Sequence, residues 1–80
     1  MKVIIYSLPT CLWCIKTKEF LRKHKIKFTD KDISKSKKYA EEMIKISGQQ
    51  GTPVIEIKRS HGVEIIVGFN ERRLKEVLNL

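Results

Sequence analysis

The chain has 80 residues, of which 41% are hydrophobic and 32% charged, and its net charge is +8. This length allows one small domain with a single core, which we expect to span residues 1–80, and the composition is typical of an ordered globular protein. No apolar run approaches the roughly 18 residues of a membrane span, and the N-terminal apolar run is too short for a signal peptide, so we expect a cytoplasmic location and no membrane partner.

The basic charge is compatible with binding to nucleic acid or to acidic protein surfaces. The lysines are spread along the whole chain, however, and no cluster of basic residues with interleaved aromatic platforms is present. Lysine side chains that simply cover solvated faces explain this pattern better. We therefore expect no binding to nucleic acid. We also expect a monomer.

The first elements form a strand-helix-strand pattern. Lys2 to Tyr6 is a short apolar, β-branched run that predicts a buried strand. From Cys11 to about His24, helical spacing places one set of residues on an inward face: Cys14, Thr17, Phe20, Leu21 and His24. Alternation of Ile26 and Phe28 with polar residues predicts a second strand over Lys25 to Asp30, parallel to the first in a right-handed crossover.

The remaining pattern predicts a helix, a hairpin and a last helix. The second helix covers about Lys37 to Ser47 with Gly48 as its stop, and its inward face comprises Tyr39, Ala40, Met43, Ile44 and Ser47. Two strands follow, Val54–Ile57 and Val63–Val67, joined by a turn at 59–62. Asn70 is the predicted N-cap of the last helix. The order βαβαββα predicts an α/β fold with a mixed four-stranded sheet and three helices.

Cys11 and Cys14 are the two cysteines of the chain, and they lie where the first strand gives way to the first helix. A thiol at a helix N-terminus meets unpaired N–H groups and the positive end of the dipole, which lower its pKa and favour the reactive thiolate. Cys14, about one turn later, is close enough for a disulfide and faces inward. The pattern therefore favours thiol redox chemistry over a structural disulfide or zinc, which needs four ligands.

In order and motifs the chain resembles the glutaredoxins, the smallest form of the thioredoxin fold. The resemblance covers essentially the whole chain and depends on three motifs: the segment from Tyr6 to Cys14, Thr52-Pro53 before the third strand, and Val67-Gly68-Phe69 before the last helix. It implies that this is a minimal thioredoxin fold and a thiol-disulfide oxidoreductase.

The resemblance also implies roles for individual residues. Cys11 is the nucleophile that forms a mixed disulfide with the substrate, and Cys14 resolves it. Pro53 is preceded by a cis peptide bond, which places Thr52 beside Cys11 to pair with an extended substrate segment. Gly68 leaves room for the substrate. The full set expected to contact substrate is Thr10, Leu12, Trp13, Thr52, Pro53, Gly68, Phe69 and Asn70.

The expected partners are proteins with disulfides or glutathione mixed disulfides, and no bound cofactor is implied. Glutathione and a thioredoxin reductase are both candidate electron donors. Many glutathione-using members have Gly-Gly before the last helix and an acidic residue at its start, where this chain has Val67-Gly68 and Asn70-Glu71. At Leu12, many members have proline, and leucine restores a backbone N–H near the thiolate.

An alternative function is a carrier module that holds a metal ion or a shared iron–sulfur cluster through Cys11. The usual hosts of such clusters in this family have a different cysteine motif. Lys18 matches a lysine that is common in the first helix of the family, and two roles for it stay open: a positive field near Cys11, or simple solvation.

Overall fold

The computed structural model describes residues 1–80 and contains the seven elements in the predicted order. Their bounds are β1 (Lys2–Ser7), α1 (Leu12–Lys23), β2 (Thr29–Asp32), α2 (Lys37–Ser47), β3 (Val54–Arg59), β4 (Gly62–Val67) and α3 (Glu71–Leu78). The strands form one four-stranded sheet in the order β2-β1-β3-β4. β1 is parallel to β2, whereas β3 is antiparallel to both β1 and β4. The predicted α/β fold class is confirmed, with a mixed sheet and three helices.

The central strand β1 is buried on both faces because helices cover both sides of the sheet. Alternate residues of β1 therefore belong to two hydrophobic clusters. The larger cluster lies under α1 and α3 and comprises Val3, Ile5, Phe20, Leu21, Ile55, Ile57, Ile66, Leu74, Val77 and Leu78. The smaller cluster lies under α2 and comprises Ile4, Tyr6, Met43 and Val54.

Local signals mark where the second and third helices begin and end. The Ser36 hydroxyl accepts a hydrogen bond from the Tyr39 N–H at the start of α2, and Gly48 ends the helix with a φ of 70°, in the left-handed region. Asn70 is the N-cap of α3, as predicted, and its Oδ1 accepts from the Arg73 N–H at 3.0 Å. None of the three helices combines the length and the apolar character that a membrane span requires.

The second strand was predicted too early in the chain. β2 begins at Thr29 rather than Lys25, because its ladder with β1 starts at the Ile4–Thr29 pair. Ile26 and Phe28 lie before that ladder, where they pack against the larger cluster without strand pairing. The alternation of apolar residues therefore came from a connection that lies against the core.

The predicted inward face of α2 was also partly wrong. Ile44 is 43% exposed, whereas Met43 is buried and Ile46 packs against the smaller cluster. Residues three apart lie on neighbouring positions of a helix surface, so Met43 and Ile46 share one side. The helix is rotated toward Ile46 relative to the predicted face.

Candidate functional site

Cys11 lies at the junction of β1 and α1, where it is the N-cap residue of the helix. Its backbone is extended, with φ −87° and ψ 110°, and its N–H donates to the Leu8 carbonyl at 3.1 Å. The Cys14 N–H in turn donates to Cys11 Sγ at 3.1 Å. The sulfur thus occupies the position that a Ser or Asp oxygen takes in other N-caps. A negative charge on this sulfur is favoured by that N–H and by the helix dipole.

Cys11 and Cys14 are joined by a disulfide, with their Cα atoms 5.2 Å apart. Cys14 is fully buried on the side of α1 that faces the sheet, whereas Cys11 is partly exposed. Cys11 Sγ also lies 3.7 Å from the carbonyl oxygen of Thr52. The pair therefore combines one accessible sulfur with one sheltered sulfur, and the accessible one contacts the loop before β3.

The Thr52–Pro53 peptide bond is cis, as expected from the resemblance. Pro53 is buried, and its carbonyl oxygen accepts from the Gly68 N–H at 2.9 Å. Gly68 has a φ of 78°, which L side chains rarely adopt, and a Cβ built there meets no atom within 4 Å. Backbone conformation, and not lack of space, is thus the reason for glycine at this position. Its expected contact with substrate stays a prediction.

Two large apolar side chains next to the disulfide are exposed. Leu12 is 61% exposed and Trp13 is 55% exposed. The Trp13 ring stacks on Phe69 with centroids 6.1 Å apart, and Phe69 also meets Phe20 edge-to-face at 5.9 Å. This aromatic row links the first turn of α1 to the segment before α3. It gives the site an apolar rim on one side.

The structure brings most of the predicted site residues to one end of the sheet. Thr52 contacts Cys11, and Phe69 contacts Trp13. The Gly68 N–H donates a hydrogen bond to the Pro53 carbonyl. Thr10 and Leu12 flank Cys11 in the chain and are exposed. The Asn70 side chain, by contrast, is engaged in capping α3. Whether Asn70 also contacts substrate stays a prediction.

Sequence reasoning missed a polar chain on the side of the sheet that α1 covers. Ser7 Oγ donates to Asp30 Oδ1, and Asp30 Oδ2 forms an ion pair with Lys18 Nζ. Lys18 is therefore held by a partner rather than simply solvated. Its position four residues after Cys14 was visible in the sequence, but the place of Asp30 depended on the register of β2.

A second polar group lies on the other side of the sheet, between β1, β2 and α2. Lys31 Nζ bonds to Glu42 Oε2 at 2.9 Å and lies 5.5 Å and 5.2 Å from the ring centroids of Tyr6 and Tyr39. The hydrogen bond from Lys31 lowers the pKa of Glu42, and the same bond raises the pKa of Lys31. Burial raises the pKa of Tyr6, whose hydroxyl donates to Glu42 at 3.3 Å. These contacts hold α2 against the sheet on the side away from the disulfide.

No group of three or more His, Cys, Asp or Glu side chains is arranged to hold a metal ion. The predicted site residues themselves include no charged side chain. The nearest basic residues in the chain are Lys16, exposed on α1 and two positions after Cys14, and Arg72, two positions after Asn70. The disulfide pair at Cys11 and Cys14 is suited to thiol chemistry, with an apolar rim on the exposed side of the site.

The chain is similar in sequence to known proteins. The family model for glutaredoxin matches residues 3–62. An uncharacterized glutaredoxin-like 8.6 kDa protein in the rubredoxin operon of Clostridium pasteurianum is 45% identical over 74 residues, which are 92% of this chain and 93% of that protein.

Solved structures show the same likeness. The glutaredoxin from Archaeoglobus fulgidus has a TM-score of 0.84 and 33% identity, over 99% of this chain and 87% of that one. The glutaredoxin-like NrdH-redoxin of Escherichia coli has a TM-score of 0.80 and 21% identity, over 96% of this chain and 95% of that one, a likeness of fold alone. With its thioredoxin fold and a Cys-x-x-Cys pair that supports thiol redox activity, this chain belongs to the glutaredoxin family.

Proposed function

We propose that this protein is a dithiol oxidoreductase that reduces disulfides in proteins or glutathione mixed disulfides. The observation that carries the proposal is the position of Cys11, a partly exposed N-cap sulfur that accepts the Cys14 N–H and is bonded to the buried Cys14 sulfur. Helix N-terminal stabilisation of a thiolate is what an attacking thiol needs. The buried Cys14 sulfur is within bonding distance of the Cys11 sulfur.

The proposed reaction has two exchange steps. The Cys11 thiolate attacks one sulfur of the substrate disulfide, forming a mixed disulfide and releasing the other substrate sulfur as a thiolate that takes up a proton. The Cys14 thiol then loses its proton and attacks Cys11 Sγ. The bond between Cys11 and the substrate breaks, and the second substrate thiolate leaves. Two electrons have passed to the substrate, and the oxidised Cys11–Cys14 pair remains.

Substrate docking is proposed to use the loop before β3 and the aromatic row. The Thr52 backbone lies beside Cys11, where an extended segment of the substrate can form main-chain hydrogen bonds. Leu12 and Trp13 offer exposed apolar area on the other side of the sulfur. A flexible protein segment that carries a disulfide fits this arrangement.

The N-terminus of α3 favours a protein reductase as the electron donor. Asn70 Oδ1 is used to cap the helix, and Glu71 forms an ion pair with Lys75 at 3.4 Å. Asn70 has no charge with which to meet the amino group of glutathione, and the Glu71 carboxylate would have to exchange its exposed pairing with Lys75 to do so. We expect a thioredoxin reductase to reduce the Cys11–Cys14 disulfide faster than glutathione does.

The test is recycling of the oxidised protein by NADPH in two parallel systems. One contains glutathione with glutathione reductase, and the other contains thioredoxin reductase. Steady NADPH oxidation that requires both Cys11 and Cys14 supports the proposed function. Activity that survives in Cys11→Ser would overturn the mechanism, and faster turnover with glutathione would overturn the expected donor.

A further inference from the structure

The polar chain behind the site, Ser7–Asp30–Lys18, is sheltered at Ser7 and Lys18, whereas the side chain of Asp30 between them is 37% exposed. Ser7 is 1% exposed, and the side chain of Lys18 is 16% exposed. Asp30 bonds to both of them, through one carboxylate oxygen each. The Lys18 ammonium is thus held against the protein surface, whereas an unpaired lysine at a helix surface extends into solvent.

The Ser7–Asp30–Lys18 polar chain lies on the same side of the sheet as Cys14. Lys18 follows Cys14 by four residues in α1, so the two side chains are neighbours about one turn apart. Asp30 pairs with Ile5 in the ladder of β1 and β2, and Ile5 shares a cluster with Leu21 of α1. Since paired residues project from the same face of a sheet, Asp30 faces α1 as well.

Burial disfavours ionisation of the Cys14 thiol, and the Lys18 ammonium would favour it. A thiol must ionise before it attacks a disulfide, but burial disfavours the charged form, and Cys14 is fully buried. The N–H of Cys14 already points at Cys11 Sγ. A positive charge close to the Cys14 sulfur would therefore favour its ionisation.

The charged groups that face Cys14 are few. From α1 there is Lys18, and from β2 there are Asp30 and Asp32, which pair with Ile5 and Ser7 of β1 in the ladder. The loop at 48–53 carries no charged residue, and the buried residues of α3 are apolar. Glu56 shares its face with Val54 on the α2 side, and the Arg59–Glu64 pair lies toward the opposite end of the sheet. From the loop after β2, Lys35 acts on Asp32. Lys18 is thus the cation that α1 itself places one turn from Cys14.

We propose that Lys18 is a positioning residue for the resolving step of the proposed reaction, on which this inference rests. Held in place by Asp30 and through it by Ser7, its ammonium stabilises the Cys14 thiolate and shields that thiolate from the two carboxylates. Lys18 takes no part in the proton transfer: the proton of Cys14 passes to solvent, Cys14 attacks Cys11 Sγ, and the substrate thiolate leaves.

The direct test titrates Cys14 alone. In a Cys11→Ser background Cys14 is the one remaining thiol, and thiolate absorbance in the ultraviolet follows its ionisation with pH. Lys18→Met should raise the pH midpoint by about one unit, the low end of the effect of a close opposite charge. Lys18→Arg should keep the original midpoint. Lys16→Met is the matched control, because it removes the same charge from the exposed side of the same helix.

Equal shifts in Lys18→Met and Lys16→Met, or no shift in either, would overturn the proposal. Lys18→Gln keeps a hydrogen-bonding side chain of similar length and should give the same upward shift, so the test survives if Lys18→Met does not fold. This titration needs no activity. It therefore decides the role of Lys18 even if the protein reduces no disulfide, an outcome that would overturn only the proposed function.

A kinetic measurement in the protein with both cysteines gives a second readout. A preformed mixed disulfide on Cys11 should be resolved about threefold more slowly at neutral pH in Lys18→Met. A rise of one unit in the pKa of Cys14 leaves about tenfold less thiolate at neutral pH. A thiolate of higher pKa is a stronger nucleophile, however, so the rate of resolution falls by less than the thiolate fraction does. The first attack by Cys11 should keep its rate. Equal slowing of both steps would point to a general loss of structure and would overturn a role confined to Cys14.

Discussion

The backbone N–H of Cys14 donates to Cys11 Sγ at 3.1 Å, while the side chain of Cys14 lies buried beneath it. One residue thus holds the exposed sulfur through its main chain and reacts with it through its side chain. These two contributions are separable, because substitution of the side chain leaves the N–H in place.

The first prediction uses that separation. Cys14→Ser should retain a reactive Cys11 but stop after the first exchange, so a mixed disulfide with the substrate accumulates. Intact-mass measurement after mixing with a glutathionylated peptide would detect one adduct per chain. Cys11→Ser is the matched control and should give no adduct. An adduct on Cys14 in that variant would contradict the assignment of roles.

A second prediction concerns Leu12, the first residue of α1. Proline is well tolerated at this helix position, so Leu12→Pro should fold with nearly unchanged stability. It removes one N–H near Cys11 Sγ. The pH midpoint of Cys11 alkylation should therefore rise, by less than about 0.7 unit, since a charge at a helix end gains about 0.3–1 kcal/mol. Leu12→Ala keeps the N–H and should leave the midpoint unchanged; an equal shift there would refute the explanation.

A third prediction concerns the stack of Trp13 on Phe69. Such a pair contributes about 0.5–1.5 kcal/mol beyond its buried area, so Phe69→Leu should loosen the indole ring. Trp13 is the one tryptophan of the chain, which makes its fluorescence specific. Time-resolved anisotropy should show faster ring motion, and the KM for a protein disulfide should rise with little change in kcat. Val67→Ala, which trims an exposed apolar side chain two positions before Phe69, should alter neither quantity.

A fourth prediction follows from the polar group at Tyr6, Lys31 and Glu42. The pKa of Glu42 is lowered in the folded state by its bond with Lys31. Its contribution to stability is therefore present above the ordinary glutamate pKa of about 4.3 and is lost as pH falls through the lower folded value. Urea unfolding should show Glu42→Gln destabilised near neutral pH, with the difference from the unsubstituted protein shrinking under strongly acidic conditions.

The matched control for that experiment is Glu41→Gln, one residue earlier and exposed. It should show no such difference at any pH. Lys31 is the opposite case, because its pKa is raised in the folded state. The contribution of Lys31 to folding stability should be present below the ordinary lysine pKa of about 10.4. It should disappear as the pH rises through the higher pKa that Lys31 has in the folded state. A stability difference for Glu42→Gln that is constant with pH would contradict this account.

Features that depend on neighbours in the chain were predictable from the sequence. The Cys11–Cys14 spacing, the N-cap at Asn70 and the stop at Gly48 each involve residues within about one turn, and each has the predicted place in the structure. The order of elements was equally accessible, because helical and strand periodicities are local patterns. The cis bond before Pro53 was expected only from the resemblance, since local preference favours trans.

Features that depend on how the strands align were decided by the tertiary structure. Ile26 and Phe28 have the alternation of a strand, but the ladder begins at Thr29, where the chain first reaches β1. The contact between Cys11 and Thr52 joins residues 41 positions apart, and the bond between Ser7 and Asp30 joins residues 23 apart. A shift of one residue in register turns a side chain to the opposite face of the sheet. The partner of Lys18 was therefore decided by the packing of the sheet, while the reactive pair was already determined by the sequence.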